Sequence, residues 1–276
     1  MGEPVLAAAM DAIFARHISV RIYGVAAVGF GLVGLVWGDL AAVLQPVPKD
    51  LPGRTALAYA VAVVCLLSGL AIQWGRTAGL GALTLTALYG LGAILFHVPR
   101  IIAHPSVFVT WEGTAEQFAL VAGGLVAYAY CAHLAPAATE RISKLGRLIF
   151  GVCLILFGLA HLFYLAPTAQ LVPAWLPPGQ TFWAYVTAAG HFAAGIAMLS
   201  GIAARPAAML LTAMFVVFGI LVHAPTIVID PHTHINWSEN VLNFALIACA
   251  WVMAASIPSV GKIDEIDPIL LSRACR

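Results

Sequence analysis

Eight long runs of apolar residues follow one another along the chain, separated by short segments rich in charge, proline and glycine. The runs lie at 19–38, 56–75, 78–98, 115–134, 147–165, 182–201, 206–227 and 240–257. An α-helix needs about 17–25 apolar residues to cross a hydrocarbon core. Lipid offers the backbone no hydrogen-bond partner, and the runs do not alternate as barrel strands do. The pattern therefore predicts an all-α integral membrane protein with eight transmembrane helices.

Lysine and arginine are distributed unevenly between the two sets of connecting segments. If the N-terminus is inside, ten lie on the inner side, and the outer loops hold Lys49, Arg54 and Arg100. Positive charge concentrates on the cytoplasmic side of membrane proteins, so both termini are predicted to be cytoplasmic. An outer belt of tryptophans agrees with this orientation: Trp37, Trp111, Trp175, Trp183 and Trp237.

The sequence repeats itself at an offset of 126 residues. Between 52 and 122 there are 25 identities in 71 positions. His97-x-Pro99 matches His223-x-Pro225, and Trp111 matches Trp237, which apolar composition alone does not explain. We therefore predict a tandem duplication of a four-helix unit, with repeats at 1–136 and 137–276. The first carries an N-terminal cytoplasmic segment and the second a cytoplasmic C-terminal tail. Because each unit has an even number of helices, the repeats are parallel and related by a pseudo-twofold axis along the membrane normal.

Composition narrows the function further. Of the 276 residues, 62% are hydrophobic and 9% are charged, and the net charge is +1. These values point to the lipid bilayer as the chain's surroundings and give no sign of a nucleic-acid partner. The five cysteines have no CxxC spacing, so we interpret them as apolar packing residues.

Polar side chains within the spans concentrate in the second repeat. His161, His191 and His223 come from three successive helices, and Asn243 comes from the fourth. The first repeat has leucine and cysteine at the positions of His161 and His191, so only the third histidine has a counterpart, His97. Intramembrane imidazoles are costly and usually have a role. We take these five residues as candidates for a ligand site, with His161 and His191 facing the bundle interior and His223 at its mouth.

Three explanations fit these histidines. They can donate hydrogen bonds to backbone carbonyls or loop carboxylates, bind the carbonyl oxygens of a quinone, or ligate a metal or haem. Helix positions predict depths that differ by roughly 10 Å, which disfavours one metal on all three. A weaker metal candidate is the loop pair His232-x-His234 with Asp230 and Glu239.

Glu116 is a separate candidate. It lies one turn inside the fourth predicted helix, and its counterpart in the second repeat is Leu242. Glu112, Glu116 and Glu239 all stand near helix starts, where the helix dipole favours an anion. The depth of Glu116 and the neighbouring Gln117 favour proton handling as the alternative.

The four-helix unit resembles the DoxX-like family of bacterial membrane proteins. The residues that carry the resemblance are Arg147, Phe157-Gly-Leu-Ala-His161, Pro178-Gly179 and Gly190-His191-Phe192-Ala-Ala-Gly195. The resemblance covers about 20–134 and 145–257. It implies a location in the bacterial cytoplasmic (inner) membrane and a quinone-linked oxidoreductase subunit, with quinone as cofactor and a redox partner subunit.

Two other functions remain open. Parallel repeats also suit a small-solute transporter or channel. A small-residue face such as Gly29-Phe-Gly31-x-x-Gly34 suits a non-catalytic partner of another membrane protein. The sequence holds no motif for haem attachment, flavin or an iron–sulfur cluster, so whether the chain is itself an enzyme stays open.

Overall fold

A computed structural model describes residues 3–41 and 44–258, with side chains from Ala15 onward. The predicted C-terminal tail beyond 258 lies outside the described residues. Nine helices and no strand occupy the described ranges. They are α1 (Glu3–Trp37), α2 (Arg54–Ile72), α3 (Gly75–Ala103), α4 (Phe108–Cys131), α5 (Pro136–Phe163), α6 (Leu165–Leu171), α7 (Gln180–Ser200), α8 (Ala204–Ile229) and α9 (His234–Ser256).

Seven helices in the described part of the chain are long and apolar enough to cross a membrane: α1 from Ala15 onward, α2, α3, α5, α7, α8 and α9. Large apolar side chains on their outer faces, such as Leu210 and Val228, are exposed and contact lipid. An all-α integral membrane protein is thereby confirmed.

The eighth predicted span corresponds to α4. It has 24 residues, about 36 Å of helix, but Glu112, Glu116 and Gln117 lower its hydropathy. More than half of its residues are buried against neighbouring helices. A helix enclosed by protein needs fewer apolar residues than one that faces lipid. The count of eight spans is consistent with this structure and stays a prediction.

Two helices continue through prolines that lie at or near their predicted ends. In α3 the residues Ala93–His97 form a π turn just before Pro99, and in α8 the residues Gly219–His223 form one before Pro225. A proline ring clashes with the carbonyl four residues earlier and cannot bond to it. The wider π turn accommodates this carbonyl, so the helices extend to Ala103 and Ile229.

The two halves pack reciprocally. The first helix of each half packs on the last helix of the other half, α1 on α9 and α5 on α4. α4 and α9 also contact each other at the centre. The predicted twofold relation between the halves would produce this arrangement, and it stays a prediction.

Local features recur at the same offset of 126 residues. Besides the π turns, the Gln117 amide donates to the carbonyl of Tyr89 at 2.8 Å, and the Asn243 amide donates to that of Phe215 at 3.2 Å. These shared features support a duplication, which stays a prediction together with its boundary at 136.

The helix ends define two sides of the bundle. The Arg16 guanidinium donates to the carbonyl of Ala255, and the Tyr130 hydroxyl donates to that of Ser256. The start of the α1 span and the ends of α4 and α9 therefore lie together. We call the opposite side, with Trp37, Trp111 and Trp237, the tryptophan end. Which side of the membrane it faces stays a prediction.

The small-residue face of α1 is occupied within the chain. A Cβ added at Gly31 would lie 2.7 Å from the carbonyl oxygen of Ala62 on α2, and one at Gly29 would lie 3.2 Å from Val241 on α9. These contacts bury the face that we considered for a partner protein.

The close contact between α1 and α2 at Gly69 predicts that a larger residue there destabilises the chain. A Cβ at Gly69 would lie 2.4 Å from the carbonyl oxygen of Gly24, and backbone atoms cannot move aside cheaply. We expect Gly69→Ala to lower the free energy of unfolding by about 1–3 kcal/mol, measured by thermal unfolding in detergent. Gly90→Ala is the control, because nothing lies within 4 Å of the added Cβ. Equal stability of the two variants would contradict the packing.

Candidate functional site

Helices α5 and α7 approach each other closely through glycines. A Cβ at Gly195 would lie 3.0 Å from the carbonyl oxygen of Gly151, and one at Gly158 would lie 3.0 Å from the ring of Phe192. These are the small residues of the two sequence motifs that end in His161 and begin with Gly190-His191. Their packing brings the two histidines side by side.

The imidazole rings of His161 and His191 form a pair. Their centroids are 4.8 Å apart and their planes are inclined by 47°. His191 is 1% exposed, and His161 is half-buried. The rings therefore lie closer together than their positions along the helices predicted. The site hypothesis required both side chains to face the bundle interior. His191 is enclosed, and the half-buried ring of His161 is turned toward it.

Each ring of the pair is held by its own helix. Nδ1 of His161 lies 2.9 Å from the carbonyl oxygen of Phe157, and Nδ1 of His191 lies 2.9 Å from that of Thr187. A carbonyl only accepts hydrogen bonds, so we assign the proton to Nδ1 in both rings. In the neutral imidazole, Nε2 is then an acceptor. The pair offers a ligand two acceptors and no donor.

Aromatic side chains enclose this pair. Phe157 meets His191 edge-on at 5.8 Å, and Phe215 lies 5.7 Å from the same ring. Phe218 lies 6.4 Å from His161 and 6.3 Å from His191, so it contacts both. We call these five residues the histidine–phenylalanine box. Its apolar walls strengthen any hydrogen bond made to the imidazoles.

Sequence reasoning missed the phenylalanines of the box. Phe157 stands in the motif that ends at His161, four residues earlier and on the same helix face. Phe215 and Phe218 show no motif, and only the packing of α8 on α7 brings them to the histidines.

Asn243 contacts the backbone of a box residue and not the histidines. Its amide donates to the carbonyl of Phe215, one turn before the π turn in α8. The same bond joins Gln117 to Tyr89 in the first half, which has no histidine pair. The contacts of Asn243 are thus those of a helix support, and no contact with either imidazole is seen among the described residues.

His223 is not brought to the pair. It is half-buried at the end of the π turn, and its ring contacts neither His161 nor His191 within the described part of the chain. Its backbone carbonyl accepts from the Asn240 amide at 2.6 Å and from the Thr226 hydroxyl at 2.7 Å. The structure places this residue beside the box rather than in it.

His97 has a different environment from its counterpart. It is 3% exposed, and its Nε2 donates to the carbonyl of Leu44 at 2.9 Å, while the Thr114 hydroxyl lies 3.5 Å from Nδ1. His97 therefore ties the α1–α2 connection to α3. The second half has helix α6 in that connection instead, which explains why the shared His-x-Pro has two environments.

The first half has a smaller polar contact where the second has the box. Cys65 occupies the position of His191 and is hydrogen-bonded to Tyr89, which occupies that of Phe215. No imidazole lies there, so the two halves differ in chemistry at equivalent positions.

The structure does not arrange the loop residues His232, His234, Asp230 and Glu239 as a metal site. His234 stacks on Trp37 at 5.4 Å, and Asp230 accepts from the Thr233 hydroxyl, which lowers the pKa of that carboxyl. Within residues 3–41 and 44–258, no group of three or more His, Cys, Asp or Glu is arranged to hold a metal ion. Glu116 lies elsewhere, at the α4–α9 contact beside Glu112 and Glu239.

These features define a polytopic α-helical membrane protein with a buried histidine pair in its second half. Residues 143–224 match the sequence model of the DoxX family, so the chain carries a DoxX-like domain. The matched range includes both histidines of the box. No curated protein and no solved structure matches the chain.

Proposed function

We propose that the histidine–phenylalanine box binds a lipid-soluble quinol, and that the chain is the membrane subunit of a quinone-linked oxidoreductase. The observation that carries this proposal is the pair of imidazoles with their Nε2 atoms left as acceptors inside apolar walls. A hydroxyl-bearing aromatic ring from the lipid phase matches both the acceptors and the walls.

The hydrogen bonds favour the reduced form of such a ligand. A quinone offers only carbonyl acceptors, whereas the Nδ1 hydrogens of His161 and His191 are already donated to backbone carbonyls. A quinol offers hydroxyl donors, and an imidazole Nε2 can accept a hydrogen bond and then a proton. This differs from the quinone-carbonyl contacts that the sequence led us to expect.

The chain's residues would then perform two tasks. The phenylalanines exclude water and hold the ring of the ligand, while the imidazoles orient its hydroxyls and take a proton from it. A bound quinol supplies two electrons and two protons when it is oxidised. The electron acceptor belongs to a partner subunit in this proposal, because the sequence has no motif for a metal centre or flavin.

Native mass spectrometry of the full chain in mild detergent tests the proposal. We expect a retained mass equal to that of an isoprenoid quinone or quinol, and extraction with organic solvent should release it for identification by chromatography. A chain that carries no such molecule, and that binds no added short-chain quinol in lipid nanodiscs, would contradict the proposal. Solute uptake by proteoliposomes would instead support the transport alternative.

A further inference from the structure

Three carboxyl groups lie within electrostatic range of one another where the two halves contact each other at the tryptophan end. Glu112 and Glu116 are one turn apart on α4, and Glu239 lies on α9. The carboxyl of Glu116 interacts electrostatically with both others, and those of Glu239 and Glu112 interact with each other. We call these three residues the carboxyl cluster.

Several buried polar atoms beside this cluster have no hydrogen-bond partner in the described residues. They are Oε2 of Glu116, Oγ of Ser238 and Nε2 of His234. Ser238 is 7% exposed, so its hydroxyl is enclosed almost completely. A buried polar group without a partner costs about 1–3 kcal/mol, so each of these atoms calls for a ligand or water.

A small cavity of about 40 Å³ is lined by two of these residues, Ser238 and His234, and by Glu239. Its lining consists of Ala41, Leu44, His234, Ile235, Ser238, Glu239 and Leu242. About 10–15 Å³ holds one water molecule, so the cavity has room for a few. Water there would satisfy the Ser238 hydroxyl and the His234 ring, and would connect them to the carboxyl of Glu239.

Among the described residues, the electrostatic partners of Glu116 and Glu239 are other carboxyls and not cations. From α1 and α2 come Asp39 and Arg54, which pair with each other in the one salt bridge among the described residues. From α3 come His97, which is bonded to Leu44, and the exposed Arg100, which interacts electrostatically with His97. From α5 comes His161, which belongs to the box. From α9 come Glu239 itself and His234, stacked on Trp37.

Three carboxylates without a cation repel one another strongly in surroundings of low dielectric constant. Carboxyls that share such a site hold protons between them. We propose that the carboxyl cluster is a proton-binding site, in which Glu112, Glu116 and Glu239 share protons, and Glu239 exchanges them through water in the cavity with the solution at the tryptophan end. This proposal is independent of the ligand assigned to the histidine–phenylalanine box.

Labelling with dicyclohexylcarbodiimide tests it on the full chain in lipid nanodiscs. This lipid-soluble reagent adds a protonated carboxylic acid across its C=N bond and leaves a stable N-acylurea, which peptide mass spectrometry locates. We expect the adduct on Glu116, with a yield that falls at least tenfold between pH 5 and pH 9. Glu140, which is exposed near the start of α5, is the internal control and should stay unlabelled.

Two variants make the test specific. Glu116→Gln should remove this adduct and leave the purified chain monodisperse. Glu239→Gln removes a neighbouring negative charge, so the yield on Glu116 at pH 7 should fall about fivefold or more. Absence of label on Glu116 in the folded chain, or a yield independent of pH, would overturn the proposal. Protection by sodium ions at constant pH would also overturn it, because the cluster would then bind a metal cation.

Discussion

Replacing His191 with cysteine is expected to weaken quinol binding at least tenfold while the chain still folds. The first half has Cys65 at the equivalent position, so this side chain fits the same helix contact without strain. A thiol accepts hydrogen bonds poorly, so the ligand loses one of its two imidazole acceptors. Tenfold corresponds to about 1.4 kcal/mol, which titration of a short-chain quinol into nanodiscs resolves.

Two further variants complete this experiment. His161→Leu introduces the residue of the first half and should weaken binding similarly, since it removes the other acceptor. His104→Ala changes an exposed histidine of the tryptophan end and should leave the dissociation constant unchanged. Unchanged binding in both box variants would exclude the box as the quinol site.

Replacing Gly195 with valine should disrupt the site without changing any residue of the box. The added Cβ would lie 3.0 Å from the carbonyl oxygen of Gly151 and 2.8 Å from Ile155, so α7 must move away from α5. Overpacking of this kind costs about 1–3 kcal/mol of stability. Because His161 and His191 sit on the two separated helices, we expect quinol binding to fall about tenfold or more as well.

Gly190→Ala is the matched control for this variant. Its Cβ would meet the sulfur of Met214 at 3.1 Å, and that flexible side chain can move aside. We expect little change in the melting temperature or in quinol binding. If Gly195→Val bound quinol as well as the wild type does, the close approach of α5 and α7 would not determine the site.

Hydropathy was sufficient to predict the helices but not their continuity. The unbroken apolar runs predicted every long helix, because length and apolar character are local properties of the chain. The same pattern placed helix ends near Pro99 and Pro225, where the structure has π turns and continuous helix. A π turn that accommodates a proline, and the bond from Asn243 on another helix to the carbonyl one turn before it, are not visible in a hydropathy profile.

The candidate site was predictable only in part, because contacts between helices depend on packing that the sequence pattern does not show. Asymmetry between the repeats singled out His161 and His191, and the structure brings these two together. His223 was selected with them because it lies on the next helix, yet the register of α8 on α7 presents Phe215 and Phe218 instead. Register between helices follows from packing, as does the meeting of Glu116 with Glu239 across the two halves.

Reciprocal packing of the two halves allows their sequences to differ, as they do at the histidine–phenylalanine box. A chain with a single four-helix unit would have to obtain the α1–α9 and α4–α5 contacts from a second copy with identical residues. In this chain residues 132–135 connect the two halves covalently. Each half therefore meets the other at a high effective concentration that does not depend on expression level. Changes in one half are then never copied into its partner. Covalent linkage thereby allows the histidine pair to be confined to one half, while Glu116 occurs only in the other, where its counterpart is Leu242.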